Sequence, residues 1–177
     1  MILGLDISSS ITGYTILNDQ GEIMACNHID LRKEKDLFKK VEIVNSELIE
    51  ISDHFEIEVV YIEQSLQSFR SGFSSAQTLS LLSKINGIIS WLCYNIFQGA
   101  PQYLAATSAR KACGIKVPKG KKAKDVALQF VVDNVPSFEV EYTRHGNPRA
   151  GFADRSDSYV IAKAGWIREN QETQDSN

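Results

Sequence analysis

The chain has 177 residues, of which 43% are hydrophobic and 23% charged, and its formal net charge is −3 at pH 7. These values are typical of a soluble protein with one domain and a sizeable core, and no apolar run approaches the roughly 20 residues that a membrane-spanning helix needs. The first residues lack the basic segment of a signal peptide, and the 3 widely spaced cysteines exclude a disulfide framework and a zinc knuckle, so we expect a cytoplasmic protein.

Hydrophobic periodicity predicts an α/β domain with a mixed sheet and the element order βββ-α-β-α-β-α-α-α. The first three strands are expected to form an antiparallel meander, with a hairpin turn at residues 19–21. We expect strands at residues 2–8, 12–18, 22–29, 57–62 and 103–106, and helices at residues 35–54, 75–98, 109–113, 122–134 and 151–168.

Several predicted helices carry a more specific expectation. The apolar spacing over residues 35–54 includes Phe38 in the buried face. Residues 107–108, Thr-Ser, are predicted to cap the helix that follows them. The helix at 75–98 has Lys84 as its only charged residue, which indicates burial on more than one face and a subunit interface. One domain is expected over residues 1–168, followed by a disordered polar tail at 169–177.

The basic residues are concentrated in one segment, which we call the basic arm, residues 110–124. It holds seven of the 19 basic residues and no acid, whereas the other 12 bases are set against all 22 acids. A basic segment on an acidic body suits a protein that holds a polyanion at one place and metal cations at another. The basic residues of the arm are Arg110, Lys111, Lys116, Lys119, Lys121, Lys122 and Lys124.

Four acidic residues, which we call the acid cluster, stand out by their positions. Asp6 and Glu63 each end a predicted buried strand, where an unpaired carboxylate is unfavourable unless a metal ion or a phosphate-binding loop is nearby. Asp154 and Asp157 share one face near the start of the last helix, where acids can also simply complement the helix dipole. Four converging carboxylates would repel one another without cations, and such hard oxygen ligands suit Mg²⁺ or Mn²⁺.

Three motifs resemble those of the RuvC-type Holliday-junction resolvases of the ribonuclease H-like superfamily. They are Gly4-Leu5-Asp6 with Ser9 and Thr12-Gly13-Tyr14, then Ile62-Glu63-Gln64, and then Ala153-Asp154-Arg155-Ser156-Asp157. The resemblance covers residues 1 to about 168. It implies a five-stranded mixed sheet flanked by helices, with three antiparallel strands followed by parallel ones. It also implies a homodimer, joined through the 75–98 helix, that acts on branched DNA in recombination and repair.

By this resemblance Asp6, Glu63, Asp154 and Asp157 are the catalytic, metal-binding acids, and Asp6 bridges two Mg²⁺ ions that Mn²⁺ can replace. Two divalent ions about 4 Å apart can activate a water, orient a phosphodiester and stabilise the leaving oxygen. The implied reaction is paired symmetric nicking of a four-way junction, with other branched DNA also open as a substrate. The products would carry a 5′-phosphate and a 3′-hydroxyl.

The family also has a basic residue near the active site and an aromatic wedge in the loop after Glu-Gln. Lys124 is the best match for the basic residue, in competition with Lys121 and Lys122 and with the alternative of a merely solvated lysine. Phe69 or Phe73 could be the wedge, although either could equally belong to the core. The remaining expected DNA contacts are Arg70 and the other basic residues of the arm, which would hold the duplex through its phosphates.

The chain departs from the family pattern at three places. Familiar members have Asp-Pro-Gly where this chain has Asp6-Ile7-Ser8. Arg155, between the last two acids, is an unusual residue that could contact a phosphate or pair with an acid, and the segment 144–149 could be an additional DNA contact. This divergence suggests a viral, phage-like or organellar branch, in which case the cytoplasm would be that of the host.

Three other functions remain open. The first strand also resembles the phosphate-loop strand of actin-like sugar kinases, but those have two duplicated domains and a second glycine-rich loop that this chain lacks. Another ribonuclease H-like nuclease, acting on RNA or on an RNA–DNA hybrid, is a nearer alternative. A catalytically silent junction-binding protein is the third, and the presence of all four acids argues against it.

Overall fold

A five-stranded mixed sheet forms the centre of the fold in this computed structural model, which describes residues 1–64 and 76–175. The strands are β1 Ile2–Asp6, β2 Ile11–Leu17, β3 Ile23–Asp30, β4 Val59–Glu63 and β5 Gln102–Leu104. The helices are α1 Leu37–His54, α2 Ala76–Phe97, α3 Ala106–Ala112, α4 Ala123–Asn134 and α5 Phe152–Asp175.

The strand order in the sheet is β3-β2-β1-β4-β5. The pairings of β1 with β2 and of β2 with β3 are antiparallel, whereas β1 with β4 and β4 with β5 are parallel. The expected element order, the antiparallel meander and the mixed sheet are therefore confirmed. The turn at 19–21 is also present, since the Gly21 N–H donates to the carbonyl of Asn18 at 2.9 Å and Gly21 has a φ of 75°.

Three local predictions differ from the structure. The helix expected at 109–113 begins at Ala106, and its cap residue Ala105 makes no side-chain hydrogen bond, so residues 107–108 lie inside α3 and do not cap it. Phe38 is 69% exposed and therefore lies outside the core. The last helix continues past its expected end at residue 168 to Asp175.

Successive side chains of a strand point to opposite faces of the sheet, so the strands contribute to two separate cores, one on each face. Leu3 and Leu5 of β1 pack on the α1 and α2 side, in one hydrophobic cluster. Ile2 of β1 and Tyr61 of β4 pack on the opposite side, against α3, α4 and α5. By the same period of two, Asp6 and Glu63 belong to the face that α5 covers. Among the described helices, none combines the length and hydrophobicity of a membrane span.

Two glycines allow α5 to lie directly on the sheet. A Cβ on Gly4 would come within 2.5 Å of the backbone nitrogen of Ala162, and a Cβ on Gly13 within 2.1 Å of the carbonyl oxygen of Asp154. Since real Cβ contacts are much longer, only glycine permits this approach. Gly13 is also the cross-strand partner of Asp6, so it sets the first turn of α5 beside the end of β1.

We expect Gly13→Ala to lower the free energy of unfolding by about 1–3 kcal/mol, because α5 would have to move away from β2. Equilibrium urea unfolding measures this change. The matched control is Gly87→Ala in α2, where a Cβ would meet nothing within 4 Å. Alanine should stabilise that helix by about 0.5–1 kcal/mol. Equal effects of the two substitutions would contradict the close packing at Gly13.

Candidate active site

The strand-end acids meet at one edge of the sheet, which we call the carboxyl edge. The strands β1 and β4 are parallel, and Leu5 is in register with Ile62, so Asp6 and Glu63 follow them side by side. Asp6 is only 7% exposed. The sequence predicts this placement because both acids directly continue apolar strands that are buried on both faces.

The first turns of α5 bring two more carboxylates to this edge. Asp154 and Asp157 are one helical turn apart, and Asp157 is buried. The helix is fixed to β2 by a buried contact between the hydroxyls of Ser158 and Thr15, whose oxygens are 2.9 Å apart. This contact holds the register of α5 against the sheet and hence the position of both acids.

Lys124 places its ammonium group among these acids. Its Nζ lies 3.1 Å from Oδ2 of Asp157, 3.2 Å from Oδ1 of Asp154 and 3.5 Å from Oδ2 of Asp6. Lys124 is the second residue of α4, so the start of that helix determines the reach of its side chain. The competing residues Lys121 and Lys122 are exposed and precede α4, and no contact links their side chains to the acids within the described part of the chain.

The charges at the carboxyl edge are strongly unbalanced. Burial raises the pKa of Asp6 well above its usual value, and the charge of Glu63 raises it further. Burial also raises the pKa values of Glu63 and Asp157, where the charges of Lys124 and Arg110 act in the opposite direction. Burial lowers the pKa of Lys124, but the three aspartates outweigh it and the net pKa is raised. The ammonium therefore stays protonated and offsets only part of the negative charge.

The acid cluster has the donor chemistry of a site for a hard divalent cation. Its donors are carboxylate oxygens, and its excess negative charge is the kind that a divalent ion offsets. In the described residues, however, no three acidic, histidine or cysteine side chains are already arranged to hold a metal ion. The ammonium of Lys124 instead lies among the oxygens, so a cation would compete with it for Asp6, Asp154 and Asp157.

Both ends of the basic arm adjoin the acid cluster, Lys124 by direct contact and Arg110 through its charge. Arg110 acts electrostatically on Glu63 and Asp157, as their pKa values show. Arg110, Lys111 and Lys116 also line a cleft of about 430 Å³ between α3 and the start of α4. Lys119, Lys121 and Lys122 are exposed on the loop before α4. The predicted wedge and contact residues Phe69, Phe73 and Arg70 lie outside the described residues.

Arg155 faces away from the acid cluster. Its guanidinium carbon lies 4.6 Å from the ring centre of Phe152 and 5.3 Å from that of Phe138, which places it on two aromatic faces. No ion pair joins it to an acid in the part of the chain that the structure describes, so the predicted pairing with Asp154 or Asp157 is not observed. Its Nε is buried and has no hydrogen-bond partner there.

The segment 144–149 forms the end of a small hairpin. Tyr142 and Pro148 form an isolated antiparallel bridge, and Arg149 makes a 3.1 Å ion pair with Glu141. The hairpin directly precedes α5 and is exposed throughout residues 141–149. Its suggested role as an additional DNA contact stays a prediction.

Sequence reasoning did not anticipate how the turn after β1 is built. The Ser8 hydroxyl accepts hydrogen bonds from the N–H groups of Ser10 and Ile11 and donates to the carbonyl of Ile11 at 2.7 Å. Lys40 of α1 donates to the carbonyl of Ser9. Serine-rich segments often form turns that side-chain hydrogen bonds stabilise. Here such a turn stands where familiar resolvases have proline and glycine after the first catalytic acid.

Comparison of folds adds an independent observation. No protein-family model matches the sequence, and no curated protein does. The structure is similar to that of Thermus thermophilus RuvC in complex with a Holliday junction substrate, with a TM-score of 0.70 and 14% identity over 97% of this chain and 96% of that one. It is also similar to the yeast mitochondrial Holliday junction resolvase Ydc2, with a TM-score of 0.63 and 16% identity over 98% of this chain and 80% of that one. The chain therefore shares the fold of these two resolvases, which is the fold that its motifs predicted.

The raised pKa values predict an unusual pH dependence of stability when divalent ions are removed with a chelator. Carboxyls whose folded-state pKa is raised bind more protons in the folded state, so the free energy of unfolding falls as the pH rises from the unfolded value of about 4 through the folded value. Glu34 has a lowered pKa and therefore titrates at lower pH. It does not change the pH dependence of the free energy of unfolding between pH 5 and pH 7.5. Urea unfolding should therefore show lower stability at pH 7.5 than at pH 5.

The variant Asp6→Asn isolates the source of this dependence. It should raise the free energy of unfolding at pH 7.5 by about 1 kcal/mol, since it removes a buried charge from a repulsive cluster. Its effect at pH 5 should be smaller. The control Asp53→Asn changes an exposed carboxylate at the end of α1 and should stay within about 0.5 kcal/mol. Destabilisation by Asp6→Asn at both pH values would refute this account of the cluster.

Proposed function

We propose that this protein is a metal-dependent endonuclease that cleaves four-way DNA junctions by paired nicks. The observation that carries the proposal is the junction-resolvase fold with four carboxylates and one lysine ammonium converging at its carboxyl edge. The acids are in the positions where the related motifs have their catalytic acids, and the basic arm begins beside them. In the solved relative from Thermus thermophilus, the bound DNA is a Holliday junction substrate.

In this proposal Asp6, Glu63, Asp154 and Asp157 hold two Mg²⁺ ions per site, which Mn²⁺ can replace. When bound, such ions lower the pKa of a water and stabilise the departing oxygen of a phosphodiester. The carboxylates would hold the cations at the end of the sheet, so the elements that carry these acids, β1, β4 and α5, would position the scissile phosphate. The expected products carry a 5′-phosphate and a 3′-hydroxyl.

Lys124 has a separate role in this scheme. Its side chain is half-exposed and its ammonium remains protonated, so the ammonium can approach a phosphate oxygen while staying close to the acids. There it would offset the negative charge that develops on the phosphate as the water attacks. The basic arm would hold the duplex through phosphate contacts, which makes binding dependent on salt.

Paired nicks require two active sites, and the outward face of α2 suits the contact between two copies of the chain. Trp91 is 63% exposed and Tyr94 54% exposed on this helix, and Leu81 is exposed as well. The small residues Ser80, Ser83 and Gly87 line a groove between them. A twofold dimer through this face would cover the apolar side chains, and Lys84 is the only charged residue that α2 itself would bring to the contact.

Cleavage assays with labelled DNA test the activity. With Mg²⁺, the wild-type protein should place symmetric nicks in a four-way junction, whereas Asp6→Asn should cleave at least about 10³-fold more slowly, because it removes a cation ligand. Three-way and linear duplex DNA and an RNA–DNA hybrid are the competing substrates. Cleavage of the hybrid alone would identify a different ribonuclease H-like nuclease, and junction binding without any cleavage would identify a silent binding protein.

Single-turnover rates on the same junction distinguish the lysines. Lys124→Ala should reduce the cleavage rate by about 10²-fold or more, in the range for loss of one preorganised electrostatic donor. The control Lys121→Ala removes an exposed lysine three residues earlier and should mainly weaken binding. If Lys121→Ala reduces the single-turnover rate at saturating protein while Lys124→Ala does not, the assignment is reversed.

Sedimentation or light scattering tests the dimer. The substitution Trp91→Glu should convert a dimer to a monomer, because it places a charge in the apolar contact. The control Phe38→Glu changes an equally exposed aromatic residue on α1 and should leave the mass unchanged. A wild-type protein that is monomeric both with and without junction DNA would exclude this dimer.

A further inference from the structure

Basic side chains also lie on the side of the acid cluster opposite the basic arm. The strands β1 and β3 are both antiparallel to β2, so they run in the same direction and end at the same edge of the sheet. The chain after β3 is tied to the turn after β1, since the Leu31 N–H donates to the carbonyl of Ser10 at 2.8 Å. Residues just after β3 therefore flank the carboxyl edge.

Arg32 is one of these residues. Its Nε and Nη2 donate to the carboxylate of Asp30 at 2.9 and 2.6 Å, which fixes the plane of the guanidinium. These bonds raise its pKa, and the charge of Asp154 contributes to the same shift, so Arg32 lies within electrostatic range of the acid cluster. The two bonds use two of the five N–H donors of the group, and an exposed ion pair of this kind adds little stability.

Lys40 is the second. It reaches from the first turns of α1 to the carbonyl of Ser9, in the turn that begins two residues after Asp6. One hydrogen bond takes one of the three donors of its ammonium group. Arg32 and Lys40 thus lie on the two chain segments that adjoin the turn after β1, whereas Arg110 acts on the acid cluster from the side of Glu63, at the end of β4.

We propose that Arg32 and Lys40 form a second phosphate-binding flank, so that one DNA strand crosses the carboxyl edge between this pair and the basic arm. The inference rests on the proposed function and deepens it by naming residues on the other side of the site. Five strands spaced about 4.8 Å apart span about 19 Å. One strand of a duplex carries five or six phosphates over about that distance, at about 3.4 Å per phosphate.

A phosphate backbone is the partner that fits this flank. The two hydrogen bonds to Asp30 fix the orientation of the planar Arg32 guanidinium. A fixed guanidinium is suited to the bidentate contact that arginine makes with phosphate oxygens. The acid cluster next to it repels an anion, so basic side chains on both sides of the cluster would favour a phosphate backbone that lies across the edge. With the basic arm alone, the strand would be held on one side of the acids.

The test measures junction binding in the nuclease-silent background Asp6→Asn, at salt concentrations from 50 to 200 mM. The double variant Arg32→Ala/Lys40→Ala is compared with Lys35→Ala/Lys39→Ala, which removes two lysines from the same segment. Each lost phosphate contact should reduce the slope of log affinity against log salt by about 0.9. The first variant should therefore bind more weakly at 50 mM and lose about tenfold less affinity over this range than its parent.

The control should keep the slope of the parent protein, although its affinity will fall slightly with the general loss of charge. Equal slopes for the parent and the Arg32/Lys40 variant would overturn the inference and leave the proposed function intact. Failure of the parent to bind any branched DNA would overturn both. Urea unfolding of each variant confirms that the comparison is between folded proteins.

Discussion

The ammonium of Lys124 among three aspartates is the interaction on which the rest of the site depends. Its contacts of 3.1 to 3.5 Å join α4, β1 and α5 at one point. Without a positive charge there, the buried carboxylates of Asp6 and Asp157 would face each other directly, and such groups become neutral or force the structure apart. One ammonium is not enough to balance four carboxylates, and this imbalance supports the proposal that divalent ions bind at the site.

This repulsion has to be overcome by packing. The contact of Gly13 with the backbone of Asp154 and that of Gly4 with Ala162 bring α5 onto the sheet at the distance where its acids reach Asp6. The same approach buries Ala162 and Ile161 in the core below α5. Hydrophobic burial along the helix thus supplies the stability that the acid cluster reduces, as is common where function requires unfavourable local charge.

Much of this arrangement could be predicted from the sequence, and the part that could not has a physical cause. Asp6 and Glu63 were identifiable because each ends an apolar strand, and the parallel pairing of those strands was expected from the resemblance of the motifs. The choice of Lys124 over Lys121 and Lys122 depends on where α4 begins, since only the side chain at its second position reaches the acids. A run of lysines before a helix does not reveal that boundary.

Other failures have similar origins. The predicted start of α3 was wrong because Thr107 and Ser108 are good capping residues. In the structure α3 begins at Ala106, two residues after the end of β5. Local propensity was overridden there by the geometry of the preceding strand. Phe38 follows Leu37 in the first turn of α1, and it is Leu37 that packs against the core. Phe38 lies about 100° further round the helix and is left exposed.

If the carboxyl edge binds the cations proposed above, it also links metal binding to folding. A cation that binds only the folded protein at 100 times its dissociation constant adds about 2.7 kcal/mol to the free energy of unfolding. Because the unloaded cluster is repulsive, part of the intrinsic affinity for the ion comes from relief of that repulsion. A less acidic edge would give a more stable protein without metal and weaker retention of the ion. Stability without metal and affinity for metal are therefore opposed at these four residues.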